Sequence, residues 1–426
     1  MKKFITAKHI ILGAVLFVFL AGIRSAQADG FRNPPESASA LGRIGGKIVH
    51  INDASAAIIN PANITDIEKP SIMVVLTTGY ASKEFESAIN GSKEDTKDPL
   101  AFLPSIFATI PAGDVYTFGL GITVPFGRHS EWEKDAVFST ASPYYSELSV
   151  INFNPSVARK FGENVSVGVG MSIYQSSLQF KQVLPWSVMT GNAASPSGIG
   201  DFEGDGTSFG VNFGVTWDIV ENHSVALTYR SPFDVTYKGD FDVTETPAEA
   251  GTVGVTSHSD FETEFKFPTV VSLGYGIEVT DKLRVEFDVE WVEASRNKEF
   301  VVDIENNNVL VAGSPAPYTI PQNWDDNWTF GLGADYQCTD EFIIRAGYMY
   351  LEAPSSTSTM IPVASEENQS VISIGAGYTH NAHTIDVAYV LGIFSGITVA
   401  DNANSAINGG YEHQSHLLSV AYGYQF

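Results

Sequence analysis

The 426-residue chain carries nine histidines and one cysteine, Cys338, and their spacing offers little chemistry. The pair in His380-Asn-Ala-His383 could clamp a metal, but the segment reads as a turn, where histidines are commonly solvated. A single cysteine rules out an internal disulfide and a cysteine-rich metal site. Gly206-Thr-Ser-Phe-Gly210 fits Gly-x-Ser-x-Gly but falls in an alternating run, and no histidine falls beside a serine and an acid in a pattern that would make it a nucleophile's base. An enzyme is therefore not expected, nor a metal centre, nor a cofactor. What the residues do offer is binding. The stretch KQVLPWSVMTGNAASPSGIGDFEGDG, from Lys181, carries Leu184, Trp186 and Met189 in a loop. Such a patch would either collect apolar solutes or pack on itself as a cap. An anionic solute would need a cation, preferably an arginine. Lys181, Arg230 and Arg345 are the candidates, the last two on strand faces where acids could pair with them.

These residues have to be positioned by strands. In VSVGVGMSI, Val165, Val167, Val169, Met171 and Ile173 alternate with Ser and Gly. SFGVNFGVTWD, KLRVEFDVEW and WTFGLGADY repeat the arrangement. Each run therefore has one apolar face with aromatics near its ends and one small, polar or charged face. The runs are about 9–11 residues long, enough to cross a bilayer when tilted. In lipid every backbone N–H and C=O must find a partner, so strands can cross only as a closed barrel. A transmembrane antiparallel β-barrel of about 14 strands is expected, with starts from Ser71 to Gln414. Short turns on one side alternate with long segments on the other, 80–104, 127–145, 181–207, 239–266, 294–326, 352–368 and 396–413, which read as extracellular loops. The last strand alternates to the terminal Phe426, an ending typical of outer-membrane barrels and a handle for the barrel assembly machinery.

The start of the chain differs. Lys2, Lys3 and Lys8, an apolar run from Ile10 to Ile23 and Ala26-Gln27-Ala28 read as a signal peptide over residues 1–28. With 49 acidic against 24 basic residues and a net charge of −25, the chain would repel nucleic acid. Residues 29–70 do not alternate. In INDASAAIINPANI, Ile51, Ala54, Ala57 and Ile58 have roughly helical spacing that stops at Asn60-Pro61.

The residues Gly30-Phe31, Leu41-Gly42-Arg43, Asp53-Ala54-Ser55 and Asn60-Pro61-Ala62 resemble the N-terminal hatch of the FadL/TodX family of outer-membrane transporters. NFNPSVARKF, ALTYRSP, FPTVVSLGY, DNWTFGLGADY and the closing strand continue the resemblance in order along the chain. The resemblance implies a 14-stranded barrel, 71–426, plugged by the hatch, 29–70, in the outer membrane of a Gram-negative bacterium. It implies passive uptake of long-chain fatty acids or aromatic hydrocarbons through a dry route that bypasses lipopolysaccharide, by a protein that reads as a monomer. The rival reading is an open porin or an adhesin.

On the resemblance, Phe31 enters the ligand cavity and is displaced by ligand; the alternative is simple packing in the plug. Asn60, Pro61 and Ala62 end a helix and bind freed backbone groups. Arg43 and Asp53 tie the hatch to the barrel wall, whose inward face offers Glu286, Asp288 and Glu290. The family's lateral opening, at a kink in the third strand, falls on Pro125 or on Gly119 and Gly121. Phe118, Leu120, Ile122 and Val124 precede Pro125 as an outward row, and proline cannot donate to the ladder. Pro125 could equally be an ordinary strand end.

Overall fold

The computed structural model describes residues 31–113, 115–140, 142–248, 257–305 and 318–426. The expected signal peptide lies outside them. Alternation closes fourteen staves into one antiparallel barrel. They are β1 (Ser71–Ser87), β2 (Leu100–Ala112), β3 (Tyr116–Glu131), β4 (Tyr145–Phe161), β5 (Val165–Leu184) and β6 (Gly198–Val220). Next come β7 (His223–Arg230, continued by Phe233–Thr244), β8 (His258–Phe267, continued by Val270–Thr280) and β9 (Leu283–Val292, continued by Glu299–Ile304). The circle is completed by β10 (Tyr318–Pro321, continued by Asn327–Gln337), β11 (Phe342–Leu351), β12 (Gln369–His380), β13 (His383–Phe394) and β14 (Gly409–Gln425). β14 pairs back on β1 from Ser71↔Gln425 to Ser87↔Gly409, so the barrel has no outer edge strand.

The faces are those of a protein that turns its apolar side outward. Phe209 is 66% and Leu418 48% exposed, whereas inward Glu286 is 1% exposed. At one rim the connections are tight, and Gly162, Asn222 and Asn381 take the positive φ that such turns require. At the other rim the staves run on through much of what reads in sequence as loops. The stretch 181–207 is the end of β5, a one-turn helix at Trp186–Thr190 and the start of β6. Val253 and Val255, apolar residues of the stretch 239–266 that reads as a loop, lie outside the described residues.

Residues 31–70 fill the bore. They form α1 (Ala38–Gly42), capped by the Ser37 side chain accepting from the Ala40 N–H, and α2 (Ala56–Ile59). A 3-10 turn, Pro61–Asp66, follows. The expected helix over 51–60 shrinks to α2 because the Asp53 carboxylate accepts from the Ser55 N–H and OH and holds a turn there. Its end at Asn60-Pro61 is as expected, the proline opening the next turn.

Candidate binding cavity and gate

Inward charges moor the filling segment. On β9 the side chains of Glu286, Asp288 and Glu290 all face the bore. Glu286 accepts from the N–H groups of Ile48, Val49 and His50 at 2.6, 2.6 and 3.0 Å. Asp288 accepts from the Lys47 N–H at 2.8 Å, and Glu290 pairs with Arg32 at 2.7 Å. Arg43 does reach the wall, but its partner is Asp335 at 2.6 Å, which Arg284 also holds. The three β9 acids are occupied by backbone N–H groups and by Arg32. Asp53 does not reach the wall. It is turned back on Ser39 and Ser55 within the segment itself.

Asn60 is fully buried and satisfied on every side. Its Oδ1 accepts from the Ala62 N–H, and its Nδ2 donates to the Ile48 carbonyl at 2.8 Å and to Thr216 on β6 at 2.9 Å. The contact is close enough to need glycines on the wall. A Cβ on Gly168 would stand 2.3 Å from the Pro61 carbonyl carbon, and one on Gly214 2.1 Å from Asn60 Oδ1.

The third stave is interrupted. β2 and β3 pair from Ala112↔Tyr116 only as far as Ile106↔Ile122. Opposite, the β3–β4 register shifts between Thr123 and Phe126, around Pro125. Val124, expected on the outward row, is therefore 2% exposed and faces the interior. Gly119 and Gly121 do not kink the strand, since both sit in regular ladders to β2 and β4. They make room for the filling segment, a Cβ on Gly121 lying 2.4 Å from Ile58.

Beyond Ile122, among the described residues, no strand pairs with the β2-side edge of β3, and residues 31–33 lie along it. The Gly127 N–H donates to the Phe31 carbonyl at 2.7 Å, and the Asn33 N–H to the Pro125 carbonyl at 3.0 Å. Asn33 Nδ2 adds a bond to the Val124 carbonyl at 2.8 Å.

The same residues border two spaces. One, of about 550 Å³, is lined by Phe31 with Leu148, Leu178, Phe180, Phe265 and Phe300, and among the described residues no charged side chain lines it. The other, about 880 Å³, is lined by Arg32 and Asn33 together with Pro125, Ile58, Phe213 and Arg230, and both spaces are partly open. The Phe31 ring is held on three sides. It stacks on Trp324 at 4.9 Å, meets Phe265 edge-on at 4.4 Å, and lies 4.5 Å from the buried Arg128 guanidinium. Arg128 in turn pairs with Glu366, from the segment between β11 and β12.

The loop residues expected to bind a solute lie elsewhere. Trp186 is fully buried, its indole N–H on the Glu245 carbonyl at 3.2 Å, and Leu184 and Met189 pack with it among Phe202 and Phe241. They form a cap, because β5 and β6 stay paired as far as Leu184↔Gly198. Lys181 pairs with Asp201 at 3.1 Å, and Arg345 with Asp386 at 2.6 Å. Trp324, Phe265, Phe300 and Arg128 escaped the sequence reading. The signal was there in part: Phe261, Phe265 and Phe267 alternate with Glu262, Glu264 and Lys266, an aromatic row whose other face is charged.

The chain matches the family described as outer membrane protein transport protein (OMPP1/FadL/TodX) over residues 19–426. A putative outer membrane protein of Neisseria meningitidis is 24% identical over 401 residues, 86% of either chain. A long-chain fatty acid transport protein of Escherichia coli is 24% identical over 425 residues, 88% of this chain and 92% of that one. Among solved structures, a FadL homologue of Pseudomonas aeruginosa superposes with a TM-score of 0.81 at 21% identity, covering 93% of this chain and all of that one. The Pseudomonas putida toluene transporter TodX superposes with 0.73 at 16%, covering 92% and 99%.

Proposed function

The chain belongs to the outer-membrane transport proteins of the OMPP1/FadL/TodX family, and on that footing we propose a route by which it passes hydrophobic small molecules across the outer membrane. It is a channel and not an enzyme, and it works by diffusion. The observation that carries the route is the double duty of residues 31–33. Phe31 walls an apolar, uncharged cavity, while the backbone of the same three residues covers the unpaired edge of β3. A solute that takes the place of the Phe31 ring would pull that cover away and open the gap between β2 and β3 to the lipid. The solute leaves sideways and never meets water.

The lining favours neutral hydrocarbons, aromatic ones included, over fatty acids. Lys181 and Arg345 are paired with acids, Arg128 beside the Phe31 ring is paired with Glu366, and Arg230 lines the other space, so among the described residues no charged side chain lines the cavity that Phe31 walls to receive a carboxylate. The relatives named for long-chain fatty acids and for toluene span both classes. The test is uptake of oleate and of toluene by a deletion strain and by one restoring this gene. Restored toluene uptake with unchanged oleate uptake supports the reading, and the reverse would sink it.

An open porin would conduct ions steadily. With residues 31–70 moored inside the bore, single-channel recordings should be near silent, and a large steady current would favour the porin. The chain closes its own barrel, which supports a monomer surrounded by lipid and lipopolysaccharide. Phe426 stands 67% exposed after β14, where the barrel assembly machinery could grip it.

A further inference from the structure

Two segments run along the free edge of β3. Residues 31–33 cover its lower part. Higher up, Lys97 bridges antiparallel to Glu131, its N–H on the Glu131 carbonyl at 2.7 Å, which brings the β1–β2 connection against the strand. At that crossing three metal-ligating side chains converge. Asp98 comes from the connection; His129 and Glu131, two residues apart, share one face of β3. One ligand atom from each lies within 4.8 Å of the other two. We infer that Asp98, His129 and Glu131 form a divalent-cation site of zinc-like chemistry that staples the β1–β2 connection to the free edge of β3.

The donor set selects the ion. One imidazole nitrogen and two carboxylate oxygens are three protein ligands, which Zn²⁺ accepts with water in the fourth position. Mg²⁺ and Ca²⁺ ask for oxygen ligands throughout. Zinc–ligand bonds of about 2.0–2.2 Å place tetrahedral donors roughly 3.3–3.6 Å apart, so atoms within 4.8 Å need only small side-chain rotations to close on an ion. The charge also fits: two carboxylates and a neutral imidazole attract a dication, and the nearby Lys97 ammonium is engaged by Glu133 at 2.8 Å. Both His129 ring nitrogens are sheltered from solvent, and the ring is held edge-on to Tyr145 at 5.6 Å. A second cluster, Asp240, His258 and Asp260, is exposed throughout. It serves as the internal control.

The ion would fix the upper end of the β2–β3 gap, where among the described residues the isolated Lys97–Glu131 bridge is the pairing on that edge. That consequence rests on the gap being the exit; the binding itself does not. The test is calorimetry with Zn²⁺, and Co²⁺ absorption, on the full chain in detergent micelles after chelator treatment. Heat-modifiable gel mobility confirms that each variant is folded. One equivalent of Zn²⁺ should bind, with a tetrahedral Co²⁺ spectrum, and should persist in His258→Ala. Losing only an outer-shell partner costs about 10–100-fold in affinity, so Asp98→Asn should weaken binding at least about tenfold and His129→Ala about 100-fold or more. No binding by the unaltered chain, binding untouched by both substitutions, or binding lost in His258→Ala would each overturn the site. Zinc binding that stands while uptake fails would refute the transport route and leave the site intact.

Discussion

The lower and upper halves of this barrel use one backbone rule with opposite chemistry. Near the tight turns, β8 points Leu273 and Tyr275 outward and Ser272 inward. Farther up the same stave, Phe261, Phe265 and Phe267 point inward while Glu262, Glu264 and Lys266 face out. The phase flips at Pro268-Thr269, between its two segments. β7 flips likewise at Ser231-Pro232, from outward Leu227 to inward Phe233, Val235 and Tyr237. A period of two says only that a segment is extended and two-faced. The solvent decides which face is which: hydrocarbon around the lower half, water around the upper. The interior follows. The lower bore is polar and holds the moored segment by hydrogen bonds, whereas the upper bore is an aromatic core with a cavity in it.

The largest expected effect comes from emptying the lower bore. Deleting residues 31–70 should raise ion conductance roughly tenfold or more, because a barrel of this strand number is wider than its own side chains can fill. Unchanged conductance would mean that the segment is no plug. Next comes a charge placed outward in each half. Val211→Arg on the lower face should cost about 2–4 kcal/mol of folding stability in lipid. Thr236→Arg, outward on upper β7, should fall within about 0.5 kcal/mol. Equal costs in urea titrations would erase the distinction between the halves. Gly214→Val, which drives side-chain carbons into Asn60 and Pro61, should cost about 1–3 kcal/mol of docking. Hydrogen exchange should show it as loosening of residues 47–66 with the staves still protected. Smallest is Phe31→Ala, which should slow uptake several-fold while leaving the barrel's unfolding midpoint almost unchanged; equal uptake removes Phe31 from the route.

Most of the barrel could be read from the chain, because lipid forces an outward apolar row and backbone closure together. The fourteen staves and the break near Pro125 follow from residues 115–126 and their like. The cavity was not legible, for a particular reason. Apolar residues such as Trp186 and Leu184 look the same in sequence whether they line a cavity or seal a cap, and here the continued pairing of β5 with β6 makes them a cap. Arg43 could be expected to reach an acid on the wall, but not which one. Glu286 spends its oxygens on three backbone N–H groups, which no side-chain pattern announces.

The central claim is that residues 31–33 are a removable cover on the edge of β3, and a reversible lock tests it most directly. Arg32 and Phe126 face each other across that bridge. Cysteines placed at both positions, in a Cys338→Ser background, should form a disulfide at the short Cβ separation of facing strand residues. Uptake of toluene by cells carrying the oxidised protein should fall to the level of the deletion strain. Reductant should restore it, the reduced protein serving as the control for the two lost side chains. Full uptake with the disulfide verified in place would contradict the account.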